Sequence, residues 1–208
     1  AAVLEALPAR PPAERRRGLN ISTFHTLGLK LIRRETRTLG LRPGFTVLDA
    51  EDSLNLIKSL LQQNEAAAGL LEPREAQGKI SQWKNDLLNP GEAMAASEDE
   101  VEAAAASLYS DYARQLTACN ALDFDDLIKR PVELLRDDPE ARERWQRRVR
   151  YLLVDEYQDT NASQYELVRL LVGTLGRLTA VGDDDQSIYA WRGARPENLS
   201  HLARDFPR

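Results

Sequence analysis

Cysteine is nearly missing from this chain. Cys119 stands alone among 208 residues, so no internal disulfide can form, and a reducing compartment such as the cytoplasm is expected. No uninterrupted apolar run is long enough to span a bilayer, which excludes a helical membrane anchor within the sequence. The start, Ala1-Ala2-Val3-Leu4-Glu5, has neither a basic segment nor a long apolar core, so no secretory signal is expected. It also lacks Met, which points to a fragment or a processed chain. Internal repeats, low-complexity tracts and sustained heptads are absent too, which excludes solenoids and coiled coils. Net positive charge is missing as well: the chain carries −5 with a pI of about 5.2, which argues mildly against a protein coated in phosphate contacts.

What remains is an ordinary globular composition, 42% hydrophobic and 29% charged, enough for one large or two small domains. Its charge is unevenly spread. Arg10, Arg15, Arg16, Arg17, Lys30, Arg33, Arg34 and Arg37 make the first segment basic, and Glu92, Glu98, Asp99, Glu100 and Glu102 make a middle segment acidic. Such runs describe either solvated helix faces or a local nucleic-acid channel.

The most informative stretch is Tyr151-Leu152-Leu153-Val154-Asp155-Glu156-Tyr157-Gln158-Asp159-Thr160-Asn161. A bounded apolar run reads as a buried parallel strand, and in open α/β sheets ligands sit at the carboxyl ends of such strands. Asp155 and Glu156 therefore project where a ligand would bind. A hard Mg²⁺ needs a carboxylate, directly or through water, which suits Asp155; a second carboxylate, Glu156, can orient or activate an attacking water. A strand running into an acidic helix cap would show the same residues.

A helical pattern from Ser163 to Val172 leads to a second strand, Leu178-Thr179-Ala180-Val181-Gly182-Asp183, and strand–helix–strand implies a parallel crossover. That strand empties into Asp184-Asp185-Gln186-Ser187-Ile188-Tyr189-Ala190-Trp191-Arg192. Tyr189 and Trp191 could stack on bases with Arg192 on phosphate, or the turn could pack two aromatics into a core.

Elsewhere the reading is mostly helical. Residues 19–23 look like a short strand, and Ser22 or Thr23 caps a helix that stops at Gly40. Thr23-Phe24-His25 at that helix start could meet phosphate and base. From Asp49 to Asn120 no strand is expected. Asp49 or Asp52 caps one helix, Pro73 begins another, and Asn89-Pro90-Gly91 breaks it; Ser97, with Glu100, opens a long third. Trp83, Lys84 and Asn85 could touch nucleic acid, although Trp83 suits a core. Asp123 caps the helix beginning Phe124-Asp125-Asp126, a structural role first. Pro131 and Pro139 each begin a short helix. Arg142, Arg144, Arg147 and Arg148 form a solvated face, Gln158 and Asp159 brace the acid pair, and a last helix runs from Pro196 to Phe206.

The Leu153–Asn161 and Val181–Ala194 blocks resemble motifs II and III of superfamily-one DNA helicases, in the UvrD/PcrA/Rep group and closest to its Rep branch. The likeness extends through Ser22–Gly28, Trp83–Leu87 and Leu122–Leu127, in the right order. It implies an α/β fold: part of a RecA-like P-loop NTPase parallel sheet (residues 1–24 and 138–208) with an inserted all-helical DNA-binding subdomain (25–137). It implies ATP and Mg²⁺ as cofactors, Asp155 as the Mg²⁺ ligand, and Gln186 as a γ-phosphate sensor beside Glu156. It implies single-stranded DNA contacts at Thr23, Phe24, His25, Tyr189, Trp191 and Arg192. The partners implied are single-stranded DNA and single-strand/duplex junctions, with accessory replication or repair proteins and no membrane. The activity implied is 3′→5′ translocation and unwinding. The P-loop itself is not found: the lone Gly-Lys, Gly78-Lys79, is followed by Ile80, with Pro73 where the first Gly belongs. The isolated chain is therefore expected to be inactive. The rival readings are a non-catalytic nucleic-acid-binding module and the helicase part of a helicase–nuclease.

Overall fold

The computed structural model describes residues 19–64, 67, 69–173, 177–183, 198, 201, 202, 204 and 206. Residues 19–23, expected as a strand, are exposed coil with no strand partner among the described residues; Ile21 is 74% exposed. The first helix, α1 (Phe24–Arg34), starts where Thr23 Oγ1 accepts the Thr26 N–H. It buries Gly28, Leu31 and Ile32. It ends at Arg34, short of Gly40, because Thr36 turns its hydroxyl onto the Ile32 and Arg33 carbonyls.

A helical unit follows. Its helices are α2 (Ala50–Leu61), α3 (Pro73–Asn85), α4 (Pro90–Ala95) and α5 (Glu100–Ala118). Asp49 caps α2 by accepting the Glu51 and Asp52 N–H groups. Asn89-Pro90-Gly91 does more than break a helix: Asn89 opens α4 through a reciprocal capping box with Glu92. The box expected at Ser97 does not form. The Ser97 hydroxyl donates to Ala93 O, and Asp99 caps α5 instead. Ile57, Ile80, Trp83, Leu108, Tyr109 and Tyr112 share this unit's core.

The unit is closed at its root by two short strands absent from the sequence reading, β1 (Thr46–Val47) and β2 (Ala121–Leu122), paired in parallel. Asn120 tightens the root, accepting the Arg42 N–H at 2.8 Å and donating to Arg42 O at 3.1 Å. The 25–137 stretch is thus not all-helical. Two-residue strands are too short to leave a period-2 signal.

α6 (Asp126–Asp137) and α7 (Pro139–Arg148) pack with α1 and with α8 (Ala162–Val172) around Leu31, Val132, Leu135, Trp145, Leu167 and Leu171. Pro139 begins α7 as expected, but Pro131 lies inside α6. The proline has no N–H to give the Leu127 carbonyl. Gly28 lies against that carbonyl; a Cβ there would sit 1.8 Å from Leu127 O.

The sheet that carries the acid pair joins β3 (Leu152–Val154) to β4 (Leu178–Ala180) in parallel, with α8 between them in sequence. Strand, helix and strand follow the expected order. The burial does not. Val154 faces Tyr157, Val168 and Val172, whereas Leu153 is 42% and Tyr151 60% exposed. Among the described residues the sheet has two strands, and α8 covers one face.

Candidate functional site

Asp155 and Glu156 follow directly from the end of β3, and both side chains are exposed. The ladder continues past the strand: Val181 N–H bonds Val154 O and Tyr157 N–H bonds Val181 O, each at 2.9 Å. Between these bonds Glu156 adopts a left-handed backbone, φ 53° and ψ 45°. A non-glycine residue there costs on the order of 1–3 kcal/mol and persists only where its surroundings over-determine it. Those surroundings are visible. The Glu156 N–H bonds Asp155 Oδ1 at 3.1 Å, and Gln158 Nε2 donates to Glu156 Oε2 at 2.7 Å. The other end of the buried Gln158 amide accepts the Asp183 N–H at 3.1 Å. One side chain therefore joins the acid pair to the end of the neighbouring strand, the bracing role expected of it.

Further along the loop, Tyr157–Asp159 form a 3-10 turn that Thr160 closes by donating to Tyr157 O at 2.7 Å. Asn198 clamps it from outside, its Nδ2 reaching Thr160 O and Oγ1 at 3.0 and 3.2 Å. The Asp159 carboxyl is held above its ordinary value by desolvation and then by the charge of Glu156. Among the described residues no cation lies within ion-pair distance of Asp155 or Glu156, and no three ligating side chains form a closed metal cage. Two exposed carboxylates side by side fit Mg²⁺, which keeps waters and takes phosphate oxygens beside one or two carboxylates. A cleft of about 330 Å³ lined by Gln146, Arg147, Arg150 and Arg177 opens before the start of β3, away from the acids.

A second surface forms where α1 meets the loop before α6. The His25 ring stacks on Phe124 with centroids 3.9 Å apart and planes inclined by 21°. Phe124 is 55% exposed, and burial lowers the His25 pKa, which favours a neutral ring. The pair is an aromatic platform rather than a cationic anion site. Sequence reading assigns the stretch from Asp123 a structural role first, and the structure leaves Phe124 within it largely in solvent. Thr23 is exposed and caps α1. Phe24 is half-buried against Leu and Val side chains of both neighbouring cores.

Trp83 and Lys84 do not reach solvent. Trp83 is 6% exposed and lies in the helical core, stacked on Tyr109. Lys84, 2% exposed, pairs with Asp123 at 2.7 Å and Asp126 at 2.9 Å. The Tyr112 hydroxyl donates to the same Asp123 oxygen at 3.0 Å. Asp123 Oδ1 accepts the Asp126 N–H, and Asp126 Oδ2 accepts the Asp123 N–H, so the helix start is capped from both sides. Burial alone would lower Lys84, but the two carboxylates hold it above its ordinary value. Burial pushes Asp126 up to about 6 against the pull of Lys84, while Lys84 holds Asp123 below the usual range despite its own burial. Two acids sharing one ammonium titrate apart. A nucleic-acid role for Lys84 is thereby corrected to a structural one, and Asn85 likewise points inward, donating to Asp125 Oδ1 at 3.0 Å.

The arginines of α7 are only partly a solvated face. Arg142 donates to Leu135 O, and Arg144 pairs with Glu35 at 3.1 Å beside the Trp145 Nε1 donor. Gln186, Tyr189, Trp191 and Arg192 lie outside the described residues.

Comparison with known proteins brings these features together. The family model for the UvrD/REP helicase N-terminal domain matches residues 4–207. The chain is 54% identical to the ATP-dependent DNA helicase Rep of Escherichia coli K12 over 196 residues, 92% of this chain and 28% of that protein. It is 44% identical to Rep of Buchnera aphidicola (subsp. Acyrthosiphon pisum) over 187 residues, covering 90% and 29%. It is 41% identical to the ATP-dependent DNA helicase PcrA of Staphylococcus aureus Mu50 over 187 residues, covering 90% and 26%. The chain thus spans less than a third of each of these relatives.

Proposed function

The chain belongs to the UvrD/REP helicase family through its N-terminal domain, and on that premise we propose that it is the motif-bearing middle of an ATP-dependent, 3′→5′ single-stranded-DNA translocase. Such a motor unwinds duplex DNA at junctions in replication or repair. One observation carries the catalytic half of the reading: an exposed acid pair at the carboxyl end of a parallel strand, with Glu156 held in a strained backbone by Gln158. A spent strain of this kind supports a functional constraint at that residue.

Asp155 would hold Mg²⁺, directly or through water, and the ion would supply positive charge to the phosphates of ATP. Glu156 orients the attacking water and takes its proton. Gln158 fixes the Glu156 carboxylate by donating one hydrogen bond to it. It also transmits any displacement to Asp183, and so to the segment holding Gln186, the proposed γ-phosphate sensor, and Tyr189, Trp191 and Arg192, the proposed strand grip. Thr23, His25 and the Phe124 platform extend that grip along single-stranded DNA, His25 through its stacked ring. Phe24, half-buried between two cores, sets the position of the start of α1.

Residues 1–208 contain no Gly-x-x-x-x-Gly-Lys-Ser/Thr pattern, so these residues alone do not hold ATP tightly or unwind DNA. DNA-stimulated hydrolysis by the purified 208-residue chain would contradict that. The decisive test uses the full-length parent. Glu156→Gln lowers turnover by about 10²–10⁴-fold while ATP binding survives. Turnover at the parental rate removes Glu156 from its role.

A further inference from the structure

Between the aromatic platform and the acid pair runs a chain of side-chain amides that the proposed mechanism does not use. Asp125, next to Phe124, accepts from Asn85 Nδ2 at 3.0 Å. Asn85 Oδ1 accepts from Asn161 Nδ2 at 2.6 Å. Asn161 is the cap of α8: its Oδ1 accepts the Gln164 N–H and the Ser163 hydroxyl, each at 2.9 Å. It directly follows Thr160, whose hydroxyl closes the turn after Glu156.

The orientation of every amide in this chain is fixed. The backbone N–H of Gln164 demands an oxygen from Asn161, so the Asn161 NH₂ must face Asn85. Asn85 must answer with its oxygen, which leaves its own NH₂ for Asp125 and for Ser81 O at 2.8 Å, both acceptors. Flipping either amide would set donor against donor. The chain also crosses a boundary between cores. Asn85 ends α3 of the helical unit, Asp125 leads into α6, and Asn161 opens the helix that backs the β3–β4 sheet. α3 otherwise meets α8 only narrowly.

We propose that Asn85 is a positioning residue that couples occupancy of the His25–Phe124 platform to the placement of the Asp155–Glu156 loop, through Asp125 on one side and Asn161 on the other. The inference rests on the reading of the chain as part of a DNA-stimulated ATPase. A base stacked on Phe124 shifts Asp125; Asn85 follows, because both ends of its amide are engaged; Asn161 then draws on the end of the loop that carries Glu156. Asn85 acts through its protein partners, since both ends of its amide are already engaged.

The test is made in the full-length parent, with turnover measured with and without single-stranded DNA and DNA affinity measured by fluorescence anisotropy. Asn85→Ala cuts the link. Asn161→Ser cuts it differently, keeping an oxygen to cap α8 while losing the amide that reaches Asn85, so it spares the fold if Asn85→Ala does not. Both variants lower DNA-stimulated turnover by about tenfold, with basal turnover and DNA affinity within about twofold of the parent. Because both cut one chain, the double variant is no worse than the poorer single. Stimulated turnover at the parental rate, an equal fall in basal and stimulated turnover, or additive losses in the double variant overturns the coupling role. A parent that shows no DNA-stimulated turnover sinks the underlying reading itself, and that result is obtained before any variant is made.

Discussion

Two groups of carboxylates in this chain look alike in sequence and differ in everything else. Asp123 and Asp126 are buried at 5% and 6% exposure, share Lys84, and cap a helix start. Asp155 and Glu156 are exposed, lack a cation among the described residues, and end a strand. A buried charge must be paired to survive, so the first group is committed to its partners. The second stays in water, held by Gln158 and the Glu156 N–H, and the left-handed backbone at Glu156 is of a kind that weakens rather than strengthens a fold. Clustered acids are therefore no guide to chemistry until their desolvation is known.

The contrast breaks most sharply at Lys84. Lys84→Met leaves two buried carboxylates without their cation and costs about 3–5 kcal/mol. Thermal unfolding of the 208-residue chain should show a fall in melting temperature of roughly 6–20 °C. The deficit depends on pH. Without the ammonium, burial raises both acids, so the folded chain binds protons more readily than the unfolded one and stability returns as pH falls. Recovery begins at or above pH about 6, where Asp126 already titrates with Lys84 present, so the gap from the parent chain narrows on acidification. A gap that widens would show that the acids are not the buried partners of Lys84.

A smaller effect is expected where the platform is assembled. Gly28→Ala drives a methyl into the Leu127 carbonyl and forces α1 from α6, at about 1–3 kcal/mol. Since His25 and Phe124 ride on those two elements, base stacking should weaken with stability. Equal DNA affinity in the variant would detach the platform from its scaffold.

At the exposed pair almost nothing should happen to the fold. Asp155→Asn is expected to change stability by less than about 0.5 kcal/mol, measured by denaturant titration. A loss as large as that at Lys84 would erase the distinction between the two groups.

Much of this was legible in the sequence. The β3–α8–β4 order followed from two bounded apolar runs with a 3.6-period stretch between them, and Thr23 and Asp49, each one of two candidate caps, and the helix start at Pro139 followed from residue chemistry. Other features had no local signature. β1 and β2 are two residues each and distant in sequence. Pro131 sits within α6, and the carbonyl it leaves unserved lies against Gly28 on another helix, a proximity with no local signature. Lys84 resembles any lysine on an amphipathic helix until the Asp123–Asp126 turn closes over it. Ser97 and Asp99 both offer a cap, and only the geometry of Ala93 O decides between them.

The paired root of the helical unit has a consequence for how such a chain tolerates change. β1, β2 and the Asn120 side chain bring entry and exit side by side, so the intervening segment can lengthen or shorten at a closure entropy that grows only logarithmically. Topology alone would make the unit a cassette. Lys84 denies it that freedom: any replacement must deliver a cation to the same hollow or leave two acids stranded in the host. A graft at this junction is thereby constrained by a single ammonium group as well as by the closure of its ends.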